Sequence, residues 1–270
     1  MTQTSVQLYS VRDAVDADID AAIDRVSQIG YTQVEPYAFH KRVADYRRAF
    51  ATSGVTAPSG HAPVIDSAQP EVVFDAAAEL GIGFVIDPFI PTERWQQADD
   101  VHRLADRVSA LAEQARERGL RFGYHNHQWE FANQIDGRSA FELFAERLDP
   151  RVPLEIDTFW ATVGGADTPA VLRSLGERVQ ALHVKDGQVT GDIASVLPSS
   201  EDALVVPERL KAAYENQAPA GQGDVDIISI LRAAPHALRV VEFDSYKGDV
   251  FKGITESLAW LAANDAQETV

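Results

Sequence analysis

The stretch ELGIGFVIDPF, residues 79–89, holds the pattern from which the fold can be predicted. A segment with apolar residues at helical spacing ends at Gly81, and glycine commonly closes a helix. The apolar run GFVIDPF follows at once, so a helix gives way directly to a strand. The same step recurs in QIGYTQVE, TSGVTAP and ERGLRFG, at Gly30, Gly54 and Gly119. The chain is therefore predicted to repeat a strand–helix unit.

Eight short apolar runs occur along the chain, and segments of helical periodicity separate them. The runs cover residues 6–10, 32–37, 55–61, 83–89, 120–127, 152–160, 179–186 and 238–244. Helices are predicted at residues 17–29, 43–53, 70–80, 97–118, 138–148, 168–177, 225–234 and 250–263. Eight such repeats close most naturally into a (β/α)8 barrel, with an open doubly wound sheet as the alternative. The chain has no GxGxxG after the first strand and no GxxxxGK[ST], so we predict an α/β protein, a single TIM-barrel domain over residues 1–270.

One segment interrupts the regular spacing of the repeats. Residues 187–223 form a connection after the seventh strand that is far longer than connections usually are. Connections that follow barrel strands lie on the face where active sites are built. We therefore expect this insertion to act as a lid or to form the contact of a homodimer.

The composition limits the classes of partner. A hydrophobic fraction of 45% with 24% charged residues is ordinary for a globular protein, and 270 residues suffice for a large core. The chain carries 41 acidic and 24 basic residues, which gives a net charge of -17. Such a surface repels phosphate backbones and anionic membranes. We expect neither nucleic acid nor a membrane as a partner.

The absence of cysteine restricts both the compartment and the chemistry. Without cysteine there is no disulfide framework, no thiolate metal site and no cysteine nucleophile. The first residues, MTQTSVQLYSVRD, lack the basic start and apolar run of a signal peptide, and no apolar segment approaches the ~20 residues that span a bilayer. We expect a cytoplasmic protein, in which any metal ion is bound by histidine, aspartate or glutamate.

Ionisable residues stand at the predicted carboxyl ends of nearly all the strands. In a TIM barrel these ends form the catalytic mouth, so the side chains should meet there. They are Arg12, Glu35, His61, Asp87, His125, His127, Asp157, His183, Lys185, Glu242 and Asp244.

Three of these residues, Asp157, His183 and Glu242, come from successive predicted strands and should converge on one side of the mouth. A charged residue within an apolar strand is costly unless it is paired or bound to a metal ion. Mixed oxygen and nitrogen ligands suit Mn²⁺, Co²⁺, Zn²⁺ or, less readily, Mg²⁺. We therefore predict a divalent metal site, with Mn²⁺ as the first expectation. A buried ion-pair network without a metal ion is the alternative.

The sequence YHNHQWEF, residues 124–131, offers a fourth ligand. Strand alternation puts His125 and His127 on the same side, toward the barrel interior. The deeper His125 is the predicted ligand, and His127 at the rim is predicted to contact substrate. Glu130 is the alternative ligand, from the loop that follows. Glu155 shares a face with Asp157 one layer deeper, where it should orient a histidine ligand.

The ordered combination of GYHNHQWEF, LEIDTFW, ALHVKDG, GQGDVD and VVEFD resembles the xylose isomerase-like barrels, specifically the sugar phosphate isomerase/epimerase superfamily. The likeness runs from QLYSVRD to VVEFDSYKGDVFKGITESLAWL and so covers almost the whole chain. The resemblance implies a metal ion held by a fifth-strand Glu, a sixth-strand Asp, a seventh-strand His and an eighth-strand Glu. Asp157, His183 and Glu242 match the last three. Where many members have Glu followed by Asn-His, this chain has His125 before Asn126 and His127.

The resemblance also implies an activity. The chain is expected to be a divalent-metal-dependent isomerase or epimerase that acts on a small keto-sugar or polyol through an enediolate. Glu242 would remove the proton next to the carbonyl, and His125 or Glu130 would act from the opposite face. Loss of a β-substituent after the same proton removal would instead make it a keto-sugar or keto-inositol lyase or dehydratase. The alternative of another class is a sugar-binding module without catalysis.

Further substrate contacts are predicted around the same mouth. Glu35 and His61 would bind substrate hydroxyls, Lys185 a carbonyl or phosphate, and the indole of Trp160 a sugar ring. Structural roles are the alternatives. Glu35 and His61 would then bind loop backbone, Lys185 would form a salt bridge to Asp186, Asp157 or Glu242, and Trp160 would pack as an ordinary aromatic residue.

Overall fold

A barrel of eight parallel strands forms the centre of the protein. The computed structural model describes residues 4–189 and 208–265. We number the barrel strands in chain order. They are β1 (Thr4–Gln7), β2 (Gln33–Glu35), β3 (Ser59–His61), β4 (Phe84–Asp87), β5 (Arg121–His125), β6 (Leu154–Asp157), β7 (Val179–Val184) and β8 (Leu238–Val241).

The strands follow one another around the barrel in chain order. The sheet runs β2–β1–β8–β7–β6–β5–β4–β3, and all of these pairs are parallel. At the seam, β2 and β3 meet through the isolated bridges Gln33–Thr56 and Tyr37–His61, so the sheet nearly closes on itself. The predicted single-domain TIM barrel is confirmed.

Helices surround the barrel. They are α1 (Arg12–Ala17), α2 (Ile19–Ile29), α3 (Val43–Ser53), α4 (Pro70–Leu80), α5 (Ala98–Arg116), α6 (Trp129–Ala132), α7 (Ala140–Arg147), α8 (Thr158–Val163), α9 (Thr168–Leu175), α10 (Glu208–Glu215), α11 (Ile227–Ala233) and α12 (Val250–Asn264). Within the described ranges, none of them combines the length and apolar character that a transmembrane helix needs.

Local sequence sets the ends of these helices. Gly81 follows α4 in the left-handed conformation, at φ 73°, and its N–H bonds to Ala77 and Ala78 carbonyls. At the other end of α4, Pro70 occupies the first turn, where its missing N–H costs nothing. Ser139 and Glu142 form a reciprocal capping box at the start of α7. These signals explain why the predicted helix bounds lie within a few residues of the observed ones.

Some short elements differ from the prediction. The apolar run 152–160 was predicted as one strand, but β6 ends at Asp157 and α8 starts at the next residue. The carboxylate of Asp157 accepts the N–H of Trp160 at 2.8 Å, which caps the new helix. Of the predicted insertion at 187–223, residues 190–207 lie outside the described residues, so its role as a lid or a homodimer contact stays a prediction.

The apolar core has two parts. Most of it lies between the strands and the helices, where Trp95, Tyr124 and Phe144 pack edge to face or tilted. A small separate cluster inside the barrel contains Phe84, Ile86, Ala181 and Val240. On β7 and after β8, the next inward residues toward the carboxyl end are ionisable. The barrel interior therefore changes from apolar to charged on the way to the mouth.

Candidate metal centre

Four buried side chains meet in the upper layer of the barrel interior. One ligand atom each from His125, Asp157, His183 and Glu242 lies within 4.8 Å of the others. His183 Nδ1 is 2.7 Å from Glu242 Oε2 and 4.0 Å from Asp157 Oδ2. His125 Nε2 is 3.8 Å from Asp157 Oδ2. The structure thus brings together the four residues that the sequence predicted as metal ligands.

A second layer of ionisable groups lies directly below the first and is centred on Glu155. Glu155 Oε2 is 2.6 Å from His61 Nε2, and it is 3.2 Å from both His125 Nδ1 and His183 Nε2. His183 Nε2 is also 2.8 Å from Glu35 Oε1. His125 and His183 therefore each point one ring nitrogen into the upper layer. The other ring nitrogen of each faces a carboxylate of the lower layer. Such carboxylates fix the orientation of a histidine ligand and raise its basicity.

The strand ends that carry these groups are tied together by side-chain hydrogen bonds. The amide of Asn126 accepts the N–H of Asp157 at 3.0 Å and donates to the carbonyl of the same residue at 3.2 Å. Thr158 Oγ1 donates to the carbonyl of His183 at 2.9 Å. These bonds set the relative heights of β5, β6 and β7. The sequence analysis gave no role to Asn126, although a polar residue on the outward side of a strand end is a signal that could have suggested one.

Lys185 places an ammonium group among the same carboxylates. Its Nζ is 2.9 Å from Asp157 Oδ2, 2.7 Å from Glu242 Oε2 and 2.7 Å from Asp244 Oδ2. Burial lowers the pKa of Lys185, but the three carboxylates raise it by more, so the net pKa lies well above the usual value. The side chain is fully buried and stays charged at neutral pH. Of the predicted salt-bridge partners, Asp157 and Glu242 are present, and Asp244 is a third that was not predicted.

Asp186, which was one salt-bridge alternative for Lys185, has another role. Its carboxylate accepts four backbone N–H groups, at distances from 2.8 to 3.2 Å, which belong to Gly187, Gly221, Gly223 and Val225. The GQGDVD motif is therefore held against the end of β7 by one acidic side chain.

The protonation states of His125, Glu242 and Asp157 suit metal coordination. Burial lowers the pKa of His183, but Glu155 and Glu242 raise it by more, so its imidazole carries a proton that a metal ion would have to displace. Burial, with a further contribution from His183, lowers the pKa of His125 to about 3, so its imidazole is neutral at neutral pH. This neutral state suits a metal ligand, and the catalytic role of His125 stays a prediction. Burial raises the pKa of Glu242, but His183 and Lys185 lower it by more, and its pKa lies well below the usual value. Burial raises the pKa of Asp157 to about 6 against the opposing charge of Lys185.

Glu130 lies apart from the cluster. Its Oε1 accepts the hydroxyl of Tyr124 at 2.7 Å, and its Oε2 accepts the N–H of His127 at 2.9 Å. Tyr124 packs outside the barrel against Trp95 and Phe144, so the carboxylate is held on the outer side of β5. This position favours His125 over Glu130 as the fourth candidate ligand. It also holds the Glu130 carboxylate outside the mouth, whereas the predicted catalytic role would require it to lie inside.

The predicted substrate contacts separate into two groups. Glu35 is fully buried and accepts hydrogen bonds from Gln7 and Ser59, so it supports His183 from below and does not line the mouth. His61 lies beside it, bonded to Glu155. Glu35 therefore lies too deep to bind substrate hydroxyls, whereas the substrate contact of His61, which is 6% exposed, stays a prediction.

Two other predicted contacts lie closer to the opening. His127 is half-buried, and its ring stacks on Trp129 at 4.4 Å and meets Phe89 edge to face. Phe89 is 37% exposed and so presents an apolar surface. Trp160 is buried in α8, where its Nε1 donates to Asp244 Oδ2 at 2.9 Å. The indole therefore holds the carboxylate of Asp244 in place. The contact between Trp160 and a sugar ring stays a prediction.

The residues present fit a divalent cation. Asp157 Oδ2 is buried and makes no hydrogen bond of normal geometry, although it lies close to the Lys185 ammonium. The neutral imidazole of His125 and the ionised carboxylate of Glu242 offer lone pairs in one place, beside His183 and Asp157. Mixed nitrogen and oxygen donors of this kind suit Mn²⁺, Co²⁺ and Zn²⁺.

A comparison with family models decides the identity of the barrel. The model of the xylose isomerase-like TIM barrel matches residues 23–264, which is most of the chain. The protein belongs to the xylose isomerase-like TIM barrel family. The resemblance to this family that the strand-end motifs indicated is confirmed. A comparison with curated proteins finds no match for this xylose isomerase-like barrel.

Solved structures share the fold of this xylose isomerase-like barrel. A sugar phosphate isomerase/epimerase from Parabacteroides distasonis is 22% identical, with a TM-score of 0.76 over 98% of this chain and 96% of the other. A xylose isomerase-like TIM barrel protein from Mycobacterium smegmatis in complex with magnesium is 15% identical, with a TM-score of 0.67 over 98% and 97%. A probable 3-DHS dehydratase from Bacillus anthracis is 12% identical, with a TM-score of 0.68 over 97% and 99%. At these identities the likeness establishes the fold alone.

Proposed function

We propose that this xylose isomerase-like barrel is a divalent-metal-dependent isomerase or epimerase of a small keto-sugar or polyol, working through an enediolate. The observation that carries the proposal is the convergence of His125, Asp157, His183 and Glu242 at the mouth. Mn²⁺ is the first candidate ion because the donors include both nitrogen and oxygen. Mg²⁺ is an alternative, since the similar Mycobacterium smegmatis protein was solved in complex with magnesium.

The chain's own groups account for the remaining chemistry. When bound, the ion would polarise a substrate carbonyl and stabilise negative charge on its oxygen. Glu242 is ionised and 6% exposed at the mouth, so it is the base that removes the proton next to the carbonyl. The Lys185 ammonium, which also contacts Asp244, donates a hydrogen bond to a substrate oxygen as charge develops there. His127, with its stacked partner Trp129, offers a surface for the sugar at the rim.

A keto-sugar lyase or dehydratase is the second candidate, and one observation favours it. Lys185 Nζ lies 2.7 Å from Glu242 Oε2, so a base and an acid stand on the same side of the site. This pair could remove a proton and protonate a leaving group. A two-base epimerase also needs a group on the opposite face, and Glu130 is held outside the barrel. The similar Bacillus anthracis protein, a probable 3-DHS dehydratase, supports this candidate.

Exchange of substrate protons with D₂O tests the proposed function. The chelator-treated protein, with and without added Mn²⁺, is incubated with a panel of keto-sugars. For an isomerase or epimerase, we expect deuterium at the carbon next to the carbonyl, with the molecular formula otherwise intact and only with Mn²⁺ present. For a lyase, the same proton removal is accompanied by loss of water or another β-substituent.

The controls separate catalysis from binding. Glu242→Gln should abolish the exchange, while Glu146→Gln, which changes an exposed carboxylate paired with Arg138, should leave it intact. Sugar binding without any exchange would identify a non-catalytic module. Failure of the wild-type protein to bind any divalent ion would overturn the metal-dependent mechanism.

A further inference from the structure

We propose that Lys185 competes with the divalent ion for its carboxylate ligands, and that its ammonium shifts onto Asp244 when the ion binds. This inference rests on the proposed function, because it assigns a metal ion to the cluster. It adds a property of this chain's site: a tethered cation that holds the carboxylates together and is moved aside when an ion binds.

The contacts of Lys185 show the competition directly. Its Nζ lies 2.9 Å from Asp157 Oδ2 and 2.7 Å from Glu242 Oε2. These two oxygen atoms belong to residues whose ligand atoms converge with those of His125 and His183. An ammonium and a divalent ion would therefore need the same oxygen atoms, and two cations so close together repel each other. Binding of the ion requires the ammonium to leave Asp157 and Glu242.

Asp244 offers the ammonium a second position that is already formed. Lys185 Nζ is 2.7 Å from Asp244 Oδ2, so the contact exists before any movement. The same oxygen accepts hydrogen bonds from Trp160 Nε1 and Gln217 Nε2, both at 2.9 Å. Gln217 Oε1 also accepts the N–H of Asp244 at 2.8 Å. The carboxylate is therefore fixed in place from several sides.

The position of Asp244 sets the direction of the shift. Its side chain is 17% exposed, whereas that of Asp157 is fully buried and that of Glu242 is 7% exposed. An ammonium that keeps Asp244 and gives up the other two partners therefore moves toward the mouth. In the loaded site it would stand beside the ion and face a substrate oxygen. Lys185 thus changes from a structural counter-ion into a substrate-binding group.

Metal affinity measured by isothermal titration calorimetry tests the inference. The proteins are treated with chelator and titrated with Mn²⁺ at neutral pH. Lys185→Met removes the competing charge and keeps the length of the side chain, so we expect at least about tenfold tighter binding. Asp244→Asn removes the charge that receives the ammonium, so we expect weaker binding. Lys252→Met removes a charge from an exposed lysine on α12, paired with Glu256, and should leave the affinity unchanged.

Thermal melts in the presence of chelator give a second readout. Without the ion, Lys185→Met leaves Asp157, Glu242 and Asp244 without their cation, so its melting temperature should fall below that of the wild type. Added Mn²⁺ should raise the melting temperature of this variant more than that of the wild type. If Lys185→Met does not fold, Asp244→Asn still tests the inference, because it keeps the ammonium and alters only its second partner.

The outcomes distinguish this inference from the proposed function. Tighter binding by Lys185→Met with weaker binding by Asp244→Asn supports the competition. Equal or weaker binding by Lys185→Met, in a wild type that does bind Mn²⁺, overturns the inference and leaves the metal site intact. Binding by Lys185→Met alone supports the competition but contradicts a metal-dependent wild type. Absence of binding in every variant overturns both.

Discussion

His183 connects the two layers of the site through its two ring nitrogens. Nδ1 lies 2.7 Å from Glu242 Oε2 in the upper layer, and Nε2 lies 2.8 Å from Glu35 Oε1 below. Because Glu35 itself is held by Gln7 and Ser59, the imidazole has little freedom to turn. Glu35 is therefore a positioning residue, which acts on the metal site only through His183 and His61.

Glu35→Gln should weaken metal binding without unfolding the protein. The amide keeps the shape of the carboxylate but loses the charge that makes His183 a better ligand, so we expect a loss of affinity of about 10- to 100-fold. Calorimetric titration with Mn²⁺ measures it. Glu79→Gln, at an exposed carboxylate paired with Arg47, is the matched control. An unchanged affinity would show that Glu35 has no influence on the site.

Glu130 gives the protein a pH dependence of stability. Burial raises its pKa from the usual 4.5 to about 8, although hydrogen bonds from Tyr124 and the His127 amide lower it in part. The folded protein holds this proton more tightly than the unfolded chain does. The contribution to stability is therefore complete below pH 4.5 and is lost as the pH rises toward about 8.

Glu130→Gln should remove this loss. Each unit of pKa shift is worth about 1.4 kcal/mol, so between about pH 5 and about pH 8 the wild type should lose a few kcal/mol more than the variant. Urea unfolding at both pH values measures the difference. Glu146→Gln, at an exposed position, should follow the wild type. Parallel curves for wild type and Glu130→Gln would contradict the raised pKa.

The pairing of β5 with β6 is the element on which the candidate site depends most. His125 and Asp157 stand at the ends of these strands, and Asn126 bonds to the backbone of Asp157. The strands also approach closely near Gly123, where an added Cβ would lie 2.0 Å from the carbonyl oxygen of Pro153. A side chain at this position would push the two strands apart.

Gly123→Ala should therefore destabilise the barrel and disturb the site together. Because the contact involves backbone, which cannot rotate away, we expect a loss of about 1–3 kcal/mol in unfolding free energy. Chemical denaturation measures it, and calorimetry should show weaker Mn²⁺ binding. Gly83→Ala is the control, because its Cβ would meet only an ordinary contact 3.8 Å away, and we expect a change within about 0.5 kcal/mol. Equal effects of the two changes would contradict this account.

Element by element, the sequence predicted the long repeats well and the short connections poorly. The bounds of α3 and α4 agree with the prediction, because apolar spacing and terminal glycines mark them. The four-residue α6 is too short to show periodicity, yet it determines that Glu130 faces Tyr124. The predicted ligands came together because strand ends in a barrel share one face. Asp157 and Glu242 were predicted as partners of Lys185, but Asp244 was missed because the direction of its side chain depends on Trp160 and Gln217.

For the whole molecule, the barrel has a separate stabilising network at its amino end. Arg239, the second residue of β8, is fully buried and forms a two-pronged ion pair with Asp265, at 2.9 and 3.1 Å. It also donates to the carbonyls of Ala234 and Ala237. This one side chain ties β8 to the end of α11 and to the segment after α12, far along the strand from the mouth.

Arg239→Met should lower stability and spare the site. It leaves Asp265 and buried carbonyls without their partner, which costs about 3–5 kcal/mol. Urea unfolding gives the loss, and calorimetry should show an unchanged affinity for Mn²⁺. The double change with Asp265→Leu should recover part of the stability, because no isolated carboxylate then remains. A large fall in metal affinity would show that the two ends of the barrel are coupled.

The carboxylate of Asp186 has a consequence for how the long connection after β7 can vary. It gathers Gly187 at one end of the connection and Gly221, Gly223 and Val225 at the other, while a two-residue strand pair joins Asp186–Gly187 to Gln217–Ala218. Both ends of the connection are thus held next to each other at the end of β7. We therefore expect the length and composition of the connection between these ends to vary without changing the shape of the barrel. Such variation would allow substrate specificity to change while the fold is kept.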